Sequence, residues 1–288
     1  MPRSFPSSNS SKAPNAASRS NRPQRVGLIA GNGGFPFLVA EAAARQGFQV
    51  VAVGFPGETR PDLARRVAVM HWISLGQFGR LIRIFKQSEI KRAYMAGQIR
   101  HKRMFSQLKF DLKALSLLAR LRDKRADSIL KTVAEALDRE GVHLVSPLPL
   151  LKEYLPQPGV LTRRRPSPQE RKDIEFGYRL AKHVASADIG QTVVVKNQAV
   201  LAVEAMEGTD ACIVRGGRYA RQGAVVVKVA KPSQDMRFDT PVLGPRTIAA
   251  MRKVGARLLA FDARQTLLLK RPEVLAAAEA AGITLIAL

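Results

Sequence analysis

Two short runs of the chain gather side chains that suit hydrolytic or cation chemistry. The first is Ala202-Val203-Glu204-Ala205-Met206-Glu207-Gly208-Thr209-Asp210, and the second is Lys231-Pro232-Ser233-Gln234-Asp235-Met236-Arg237-Phe238-Asp239-Thr240-Pro241. Within Val203–Gly244 they set five carboxylates beside hydroxyls, amides, glycines and prolines, in a chain with 47 Lys+Arg against 23 Asp+Glu. Acidic groups clustered in loops of so basic a protein suit a cation or a water to be activated. Magnesium prefers oxygen ligands and keeps waters, so one or two carboxylates suffice when phosphate oxygens complete its shell. Strand alternation puts Val203 and Glu204 on opposite faces. Glu204, Glu207 and Asp210 then read either as cation ligands or as a solvated strand end with a Thr/Asp turn. In the second run, Asp239 suits a water or a metal, and Lys231 and Arg237 suit a phosphate. A structural loop with Arg237 paired to an acid fits that composition equally well.

A second kind of site comes from glycine. Gly31-Asn32-Gly33-Gly34 follows an apolar strand and opens a helix, where backbone N–H groups and the helix dipole favour an anion. A dinucleotide fingerprint would place a third glycine where Pro36 stands and an acid at the end of the next strand. That strand ends Val53-Gly54-Phe55, so a phosphate-bearing or nucleotide substrate fits better than NAD. The alternative is that the glycines only allow a tight turn. Ala96-Gly97-Gln98 closes another expected strand. Ligands of open parallel sheets lie beyond strand carboxyl ends, so the two glycine turns would share a crevice, with Gln98 as a donor to phosphate or sugar.

The elements that must position these groups follow from periodicity. Arg25–Ala30, Phe48–Val53, Ala68–Ile73 and Arg92–Ala96 read as strands. Phe35–Ala44 and Phe78–Glu89 read as helices, and Phe110–Leu121 and Ser128–Arg139 as amphipathic helices. This order predicts a parallel, Rossmann-like sheet. Prolines crowd Pro147–Pro168, a boundary. Ser167-Pro168-Gln169-Glu170 matches a capping box, so a helix should run to about Val184. Thr192–Val195 and Val200–Val203 flank Lys196-Asn197-Gln198 as a hairpin. Ala224–Val229, Arg257–Phe261, Thr266–Leu269 and Ile283–Leu288 read as strands, Arg246–Val254 and Pro272–Ala281 as helices. The expected fold class is α/β: a disordered basic tail (1–24), a Rossmann-like N-terminal domain (25–155) and a distinct C-terminal α/β domain (156–288) carrying the acidic loops.

Composition narrows the function classes. The net charge is +24 over 288 residues, and residues 80–131 alone hold 15 Lys/Arg against four acids. Such a surface attracts polyanions: nucleic acid, anionic lipid or phosphorylated substrates. Aromatics make up only 6% of residues and no nucleic-acid-binding motif is present, so nucleic acid is the weakest of these partners. Cys212 is the only cysteine, which excludes an intrachain disulfide and a cysteine zinc site and fits a cytoplasmic setting. It reads as a packed small residue. His71, His101, His143 and His183 are scattered without ligand spacing. Neither a nucleophile elbow nor a P-loop occurs. No apolar run approaches the roughly 20 residues that span a bilayer.

Four motifs in order carry a resemblance: Gly27-Leu28-Ile29-Ala30-Gly31-Asn32-Gly33; Asp188-Ile189-Gly190-Gln191; Ala202-Val203-Glu204 with Glu207-Gly208-Thr209-Asp210; and Lys231-Pro232 with Gln234 and Asp239. Over residues 25–288 the chain resembles the LpxI family of UDP-2,3-diacylglucosamine pyrophosphatases. The resemblance implies hydrolysis of a lipid-linked UDP sugar to UMP and 2,3-diacylglucosamine 1-phosphate (lipid X), a step of lipid A synthesis. It implies a divalent cation, typically Mg2+, a homodimer, and a substrate held between the two domains. Asp239 matches the family's essential aspartate, with Glu204 and Asp210 as further candidate metal ligands. Gly31, Asn32, Gly33, Gly34, Gly97, Gln98, Gln191, Thr209, Lys231, Gln234 and Arg237 are the candidate substrate contacts. A basic surface handling a two-chain lipid is expected to touch the anionic inner membrane surface. A sugar-nucleotide oxidoreductase and a basic nucleic-acid-binding protein are the alternatives.

Overall fold

The computed structural model describes residues 23–99, 111–119, 126–232 and 234–288. The tail expected over 1–24 therefore falls almost wholly outside the described residues, as do His101, Ser233 and part of the basic 80–131 segment.

The first half builds one parallel sheet, ordered β3-β2-β1-β4-β5, from β1 (Arg25–Ala30), β2 (Gln49–Gly54), β3 (Val69–Trp72), β4 (Arg92–Ala96) and β5 (His143–Leu144). β1 and β2 are near-continuous apolar runs because both faces are covered. Val26, Leu28 and Ala30 of β1 pack with α1 (Phe35–Arg45), while Ile29 turns to the opposite cluster, which holds Leu81 and Phe85 of α2 (Phe78–Gln87) and Leu137 of α4 (Ala126–Arg139). The short α3 (Leu112–Leu118) lies between α2 and α4 in sequence.

The second half forms a six-stranded mixed sheet, ordered β6-β13-β11-β9-β7-β8. Its strands are β6 (Gly159–Val160), β7 (Thr192–Lys196), β8 (Ala199–Val203), β9 (Val225–Lys228), β11 (Leu258–Phe261) and β13 (Thr284–Ala287). One face meets α5 (Pro168–Ser186), whose expected capping box is present at Ser167 and Glu170. The other meets α6 (Thr209–Ala220), α7 (Pro245–Lys253) and α8 (Arg271–Ala280). Alternation sorts the residues cleanly: Val225 and Val227 lie under α5, Val226 under α6 and α7. The chain is thus α/β with a parallel first sheet and a mixed second one.

Helix α6 has no counterpart among the sequence-based expectations, which gave Gly208-Thr209-Asp210 only a turn. Gly216 and Gly217 weaken its helical signal. Both are needed for close packing: an added Cβ would lie 2.7 Å from Val194 Cβ and 2.2 Å from Val254 Cγ2 respectively.

A two-stranded parallel ribbon, β10 (Val242–Leu243) with β12 (Leu267–Leu268), joins the halves. Leu243 and Leu268 belong to the second sheet's core, whereas Leu267 is buried in the first sheet's cluster and Val242 packs against it. The period of two thus turns one ribbon into a seam between two cores.

The two glycine turns interlock. Gly31 N–H donates to Ala96 O at 2.7 Å and Asn32 N–H to Gln98 O at 2.8 Å. Gly97 has φ +86°, and a Cβ there would lie 2.4 Å from Asn32 O. Gly97→Ala is therefore expected to destabilise the protein by about 2–4 kcal/mol, adding backbone collision to left-handed strain. Gly33→Ala, with φ +85° but nothing within 4 Å of the added atom, should cost about 1 kcal/mol. Urea unfolding of the two variants would separate them.

Candidate functional site

Glu204 is linked through Thr209 to a buried residue that sequence reasoning missed. β8 runs parallel to β9 across the antiparallel β7, so Glu204 and Lys228 both stand at the strand ends of one sheet edge. Both sit on the α6 face, in step with Ala202 and Val226. Lys228 is 6% exposed. Its Nζ donates to Thr209 Oγ1 at 2.8 Å, at the first turn of α6. Thr209 Oγ1 donates in turn to Glu204 Oε1 at 3.0 Å, and the Thr192 hydroxyl lies 3.3 Å from it. Glu204 Oε2 accepts from Gln191 N–H at 3.4 Å. Gly190 makes this approach possible, since a Cβ there would lie 2.0 Å from Glu204 O. Burial pushes the Lys228 ammonium below the usual lysine pKa, while Glu204, Asp210 and Asp239 act in the opposite direction. Asp210 is held from α7, accepting from Thr247 Oγ1 at 3.0 Å with Arg246 3.6 Å away.

Asp239 reaches this edge on the 231–241 loop, whose two ends and middle are each fixed. At its root, buried Asp262 accepts from Ala230 N–H at 2.7 Å and pairs with Lys182 at 2.7 Å, and Lys182 also donates to Ala230 O at 3.3 Å. Lys231 N–H donates to Gln234 Oε1 at 2.8 Å, and Lys231 Nζ pairs with Asp188 at 2.6 Å. Asp235 takes Arg237 in a fork, Nε at 2.9 Å to Oδ1 and Nη2 at 2.6 Å to Oδ2. Asp239 N–H donates to Asp235 O at 2.9 Å. Phe238 leaves the C-terminal half and packs into the first sheet's α2/α4 cluster. The loop is consequently a bridge between the halves. A cavity of about 560 Å³ lies beside it, lined by Lys131 and Ser146 from the first half and by Pro232, Gln234, Asp235, Met236 and Arg237 from the loop. Gln191 Oε1 and Gln234 Nε2 are buried without a hydrogen-bond partner, an acceptor and a donor that bound substrate groups can satisfy.

The structure thus joins Lys228, Thr209, Glu204 and Gln191 in one hydrogen-bonded chain, and Asp210 pairs instead with Thr247 and Arg246. Lys231, Gln234 and Arg237 form the adjoining loop. Gly31, Asn32, Gly33, Gly34, Gly97 and Gln98 cluster on the other sheet, at the carboxyl ends of β1 and β4. There Asn32 Nδ2 donates to buried Glu58 at 3.2 Å, an acid not singled out from sequence. Both loop cations expected to meet phosphate carry an acidic partner, and Arg237 follows the paired alternative. Cys212 is buried, its thiol pushed up to about 12 by desolvation, which makes it a packing residue rather than a nucleophile.

Two family models match the chain, the LpxI C-terminal domain over residues 157–286 and the LpxI N-terminal domain over residues 25–154. The chain belongs to the LpxI family. A curated LpxI relative, the UDP-2,3-diacylglucosamine pyrophosphatase LpxI of Caulobacter vibrioides, is 29% identical over 271 residues, covering 90% of this chain and 96% of the relative. Solved structures are more remote. A biotin carboxylase domain of a single-chain bacterial carboxylase has TM-score 0.27 at 16% identity over 62% of this chain, and a glycinamide-RNase-transformylase T from Mycobacterium tuberculosis has TM-score 0.25 at 15% identity over 64%. This chain spans only 36% and 44% of their lengths, and likeness at that level carries no argument. Membership of LpxI accounts for the two-domain organisation, and the bridging loop with its four candidate residues lies wholly within the matched C-terminal domain.

The Asp235–Arg237 fork sets a pH dependence. Arg237 holds the Asp235 carboxyl below its ordinary value. A group depressed on folding stabilises above its unfolded pKa, and that contribution is lost as pH falls through the folded value. Arg237→Gln should therefore destabilise by about 1 kcal/mol at neutral pH, the pair being partly exposed. The gap from the wild type should close under strong acid, as followed by urea unfolding across the acid range.

Proposed function

We propose that this protein hydrolyses the pyrophosphate bond of UDP-2,3-diacylglucosamine, giving UMP and 2,3-diacylglucosamine 1-phosphate in lipid A biosynthesis. The observation that carries the reading is the placement of Asp239. It sits on a loop anchored in one core by Phe238 and rooted in the other at Ala230, beside a cavity lined from both halves. The LpxI relative bears the name of this activity.

The reaction adds water to a phosphorus atom and breaks the bridging P–O bond, so charge builds on bridging and non-bridging oxygens. Donors and cations aimed at those oxygens lower the barrier. Asp239 holds the attacking water or its proton. Gln191 and Gln234 supply the unpaired amide groups that orient the substrate, and the N–H groups of Gly33 and Gly34, at the start of α1, offer an anion-binding turn on the first domain. Lys231 and Arg237 lend positive potential to the loop while keeping their acidic partners.

A magnesium ion fits this donor set in one way. Among the described residues, no group of three or more His, Cys, Asp or Glu converges to hold a metal ion, so Glu204, Asp210 and Asp239 do not make a protein-only cage. Both Glu204 oxygens accept hydrogen bonds, which suits a counter-ion to Lys228 better than a ligand. Asp239 as a single carboxylate, with substrate phosphates and water completing the shell, meets what Mg2+ requires. When bound, the ion supplies Lewis-acid polarisation of the phosphoryl oxygens.

No helix among the described residues is long and apolar enough to cross a membrane. The family resemblance supports reading the protein as a homodimer, and its net charge of +24 would draw it to the anionic cytoplasmic surface of the inner membrane. Purified protein with Mg2+ should release UMP from UDP-2,3-diacylglucosamine, followed by chromatography. Asp239→Ala should lower kcat by about 10²–10⁴-fold while keeping the wild-type circular dichroism. Full activity in the variant would remove Asp239 from the chemistry, and a folded, inactive wild type would remove the function.

A further inference from the structure

One short segment of the chain holds the 231–241 loop at both ends. Just after β11, the buried Asp262 carboxylate accepts from Ala230 N–H at 2.7 Å, at the start of the loop. A turn closed by Thr266 N–H on Asp262 O at 3.3 Å then leads into β12. There Leu267 N–H donates to Pro241 O at 2.8 Å, and Leu269 N–H, just past the strand, to Leu243 O at 2.8 Å. Lys182 of α5 pairs with Asp262 Oδ2 at 2.7 Å and donates to Ala230 O at 3.3 Å, so one ion pair fixes both the N–H and the carbonyl of Ala230. Tyr178, one turn earlier on α5, donates its hydroxyl to Asp262 Oδ1 at 3.0 Å. A buried ion pair adds little net stability over apolar residues of the same volume. What this one adds is a fixed direction for the backbone where the loop leaves the sheet.

We propose that Asp262, oriented by Lys182 and Tyr178, is a positioning residue for Asp239. It ties the Ala230 end of the loop to the same turn that holds the Pro241 end. The span between them is thereby closed at a fixed separation, and Asp239, two residues before Pro241, is presented in one place. The lining of the cavity beside the loop includes none of these three side chains, so their influence on turnover passes through the loop backbone. The proposal rests on the hydrolase reading of Asp239 for its kinetic part, whereas its mechanical part, that this carboxylate holds the loop closed, needs no substrate. A pair that only stabilised the C-terminal core would change the unfolding temperature and leave turnover of the folded protein as it is.

The test uses the full-length protein as wild type, Asp262→Ala, Asp262→Asn and the double variant Asp262→Asn/Lys182→Met. Lys182 is partly exposed, so losing Asp262 strands no charge in the core. Backbone hydrogen exchange read by mass spectrometry follows the loop without substrate. Asp262→Ala should speed exchange over 230–241 about tenfold, leaving β9 and β11 at the wild-type rate. In turnover it should lose about 100-fold in kcat with KM little changed, as for a reacting group displaced by about 1 Å. Asp262→Asn keeps one oxygen for Ala230 N–H and should recover part of both losses. A folded Asp262→Ala with wild-type kcat overturns the proposal, whatever its unfolding temperature. If that variant does not fold, the double variant, with both charges removed, decides: folded with wild-type kcat, it overturns the proposal, and folded but slow with KM little changed, it supports it. A wild type that releases no UMP counts against the hydrolase reading alone, and exchange then judges Asp262. Wild-type exchange over 230–241 in the folded variant overturns the proposal, and faster exchange confined to that span supports it.

Discussion

A charged amine at the end of an all-valine strand sets the terms for everything near it. Moving an ion out of water costs several kcal/mol even after the protein relaxes. Lys228 is 6% exposed, so that cost has to be offset locally. Acids in the surrounding sequence cannot do it from within β9, which reads Val225-Val226-Val227-Lys228. The compensation must come from other elements, and it does: Glu204 from the end of β8, Thr209 and Asp210 from the start of α6, and Asp239 from the long loop. The Lys228–Thr209–Glu204 chain thus ties β9 and the hairpin to the first turn of the glycine-bearing helix.

The second constraint is apolar. The β10–β12 ribbon has no room for a face of its own. Its odd and even residues are each claimed by a different core, Leu243 and Leu268 by one and Val242 and Leu267 by the other. Fully burying side chains of this size contributes about 1.5–3 kcal/mol each. A relative movement of the two halves that pulled Leu267 out would therefore be opposed by about 1.5–3 kcal/mol, a sizeable fraction of a domain's whole stability of roughly 5–15 kcal/mol. Phe238 adds a third anchor in the first half, in the cluster on the opposite face of its sheet. The loop carrying Asp239 lies between Phe238 and the ribbon, so it is held where the cores meet rather than left as a free surface segment.

Much of this architecture was legible in the sequence, and the parts that were not have identifiable physical causes. The strands and helices of the first half follow from periodicity and glycine punctuation, and the capping box at Ser167 and Glu170 forms as its spacing predicts. That the turns at Gly31 and Gly97 neighbour one another was legible because both sit at strand carboxyl ends, but not that they bond backbone to backbone. Helix α6 was hidden because Gly216 and Gly217 lower helix propensity for a reason only the neighbours Val194 and Val254 disclose. Glu204, Asp210 and Asp239 were legible as candidates, but not Lys228, which reaches Glu204 through Thr209. Lys228 looked like the polar end of a strand, and only pairing of β7 with β9 brings it across from Glu204. Asp262 and Lys182 were likewise silent, being 80 residues apart. Arg237 showed its partner only as one of two open readings, since an i, i+2 pair in a proline-bounded loop can face inward or outward.

Charge at two length scales reconciles an acidic site with a basic protein. Far from the site the summed charge matters, and at +24 the molecule attracts polyanions, with a pull that salt screens over a Debye length of about 8 Å. Within the site the balance reverses: the acids outnumber the internal ammonium, and Lys231 and Arg237 arrive already paired with Asp188 and Asp235. A bare pyrophosphate would be drawn toward the protein and then meet a locally acidic edge. On the proposed reading, a divalent ion accompanying the pyrophosphate would offset that repulsion and give the carboxylate of Asp239 a partner, so the edge would favour the metal complex over the naked anion.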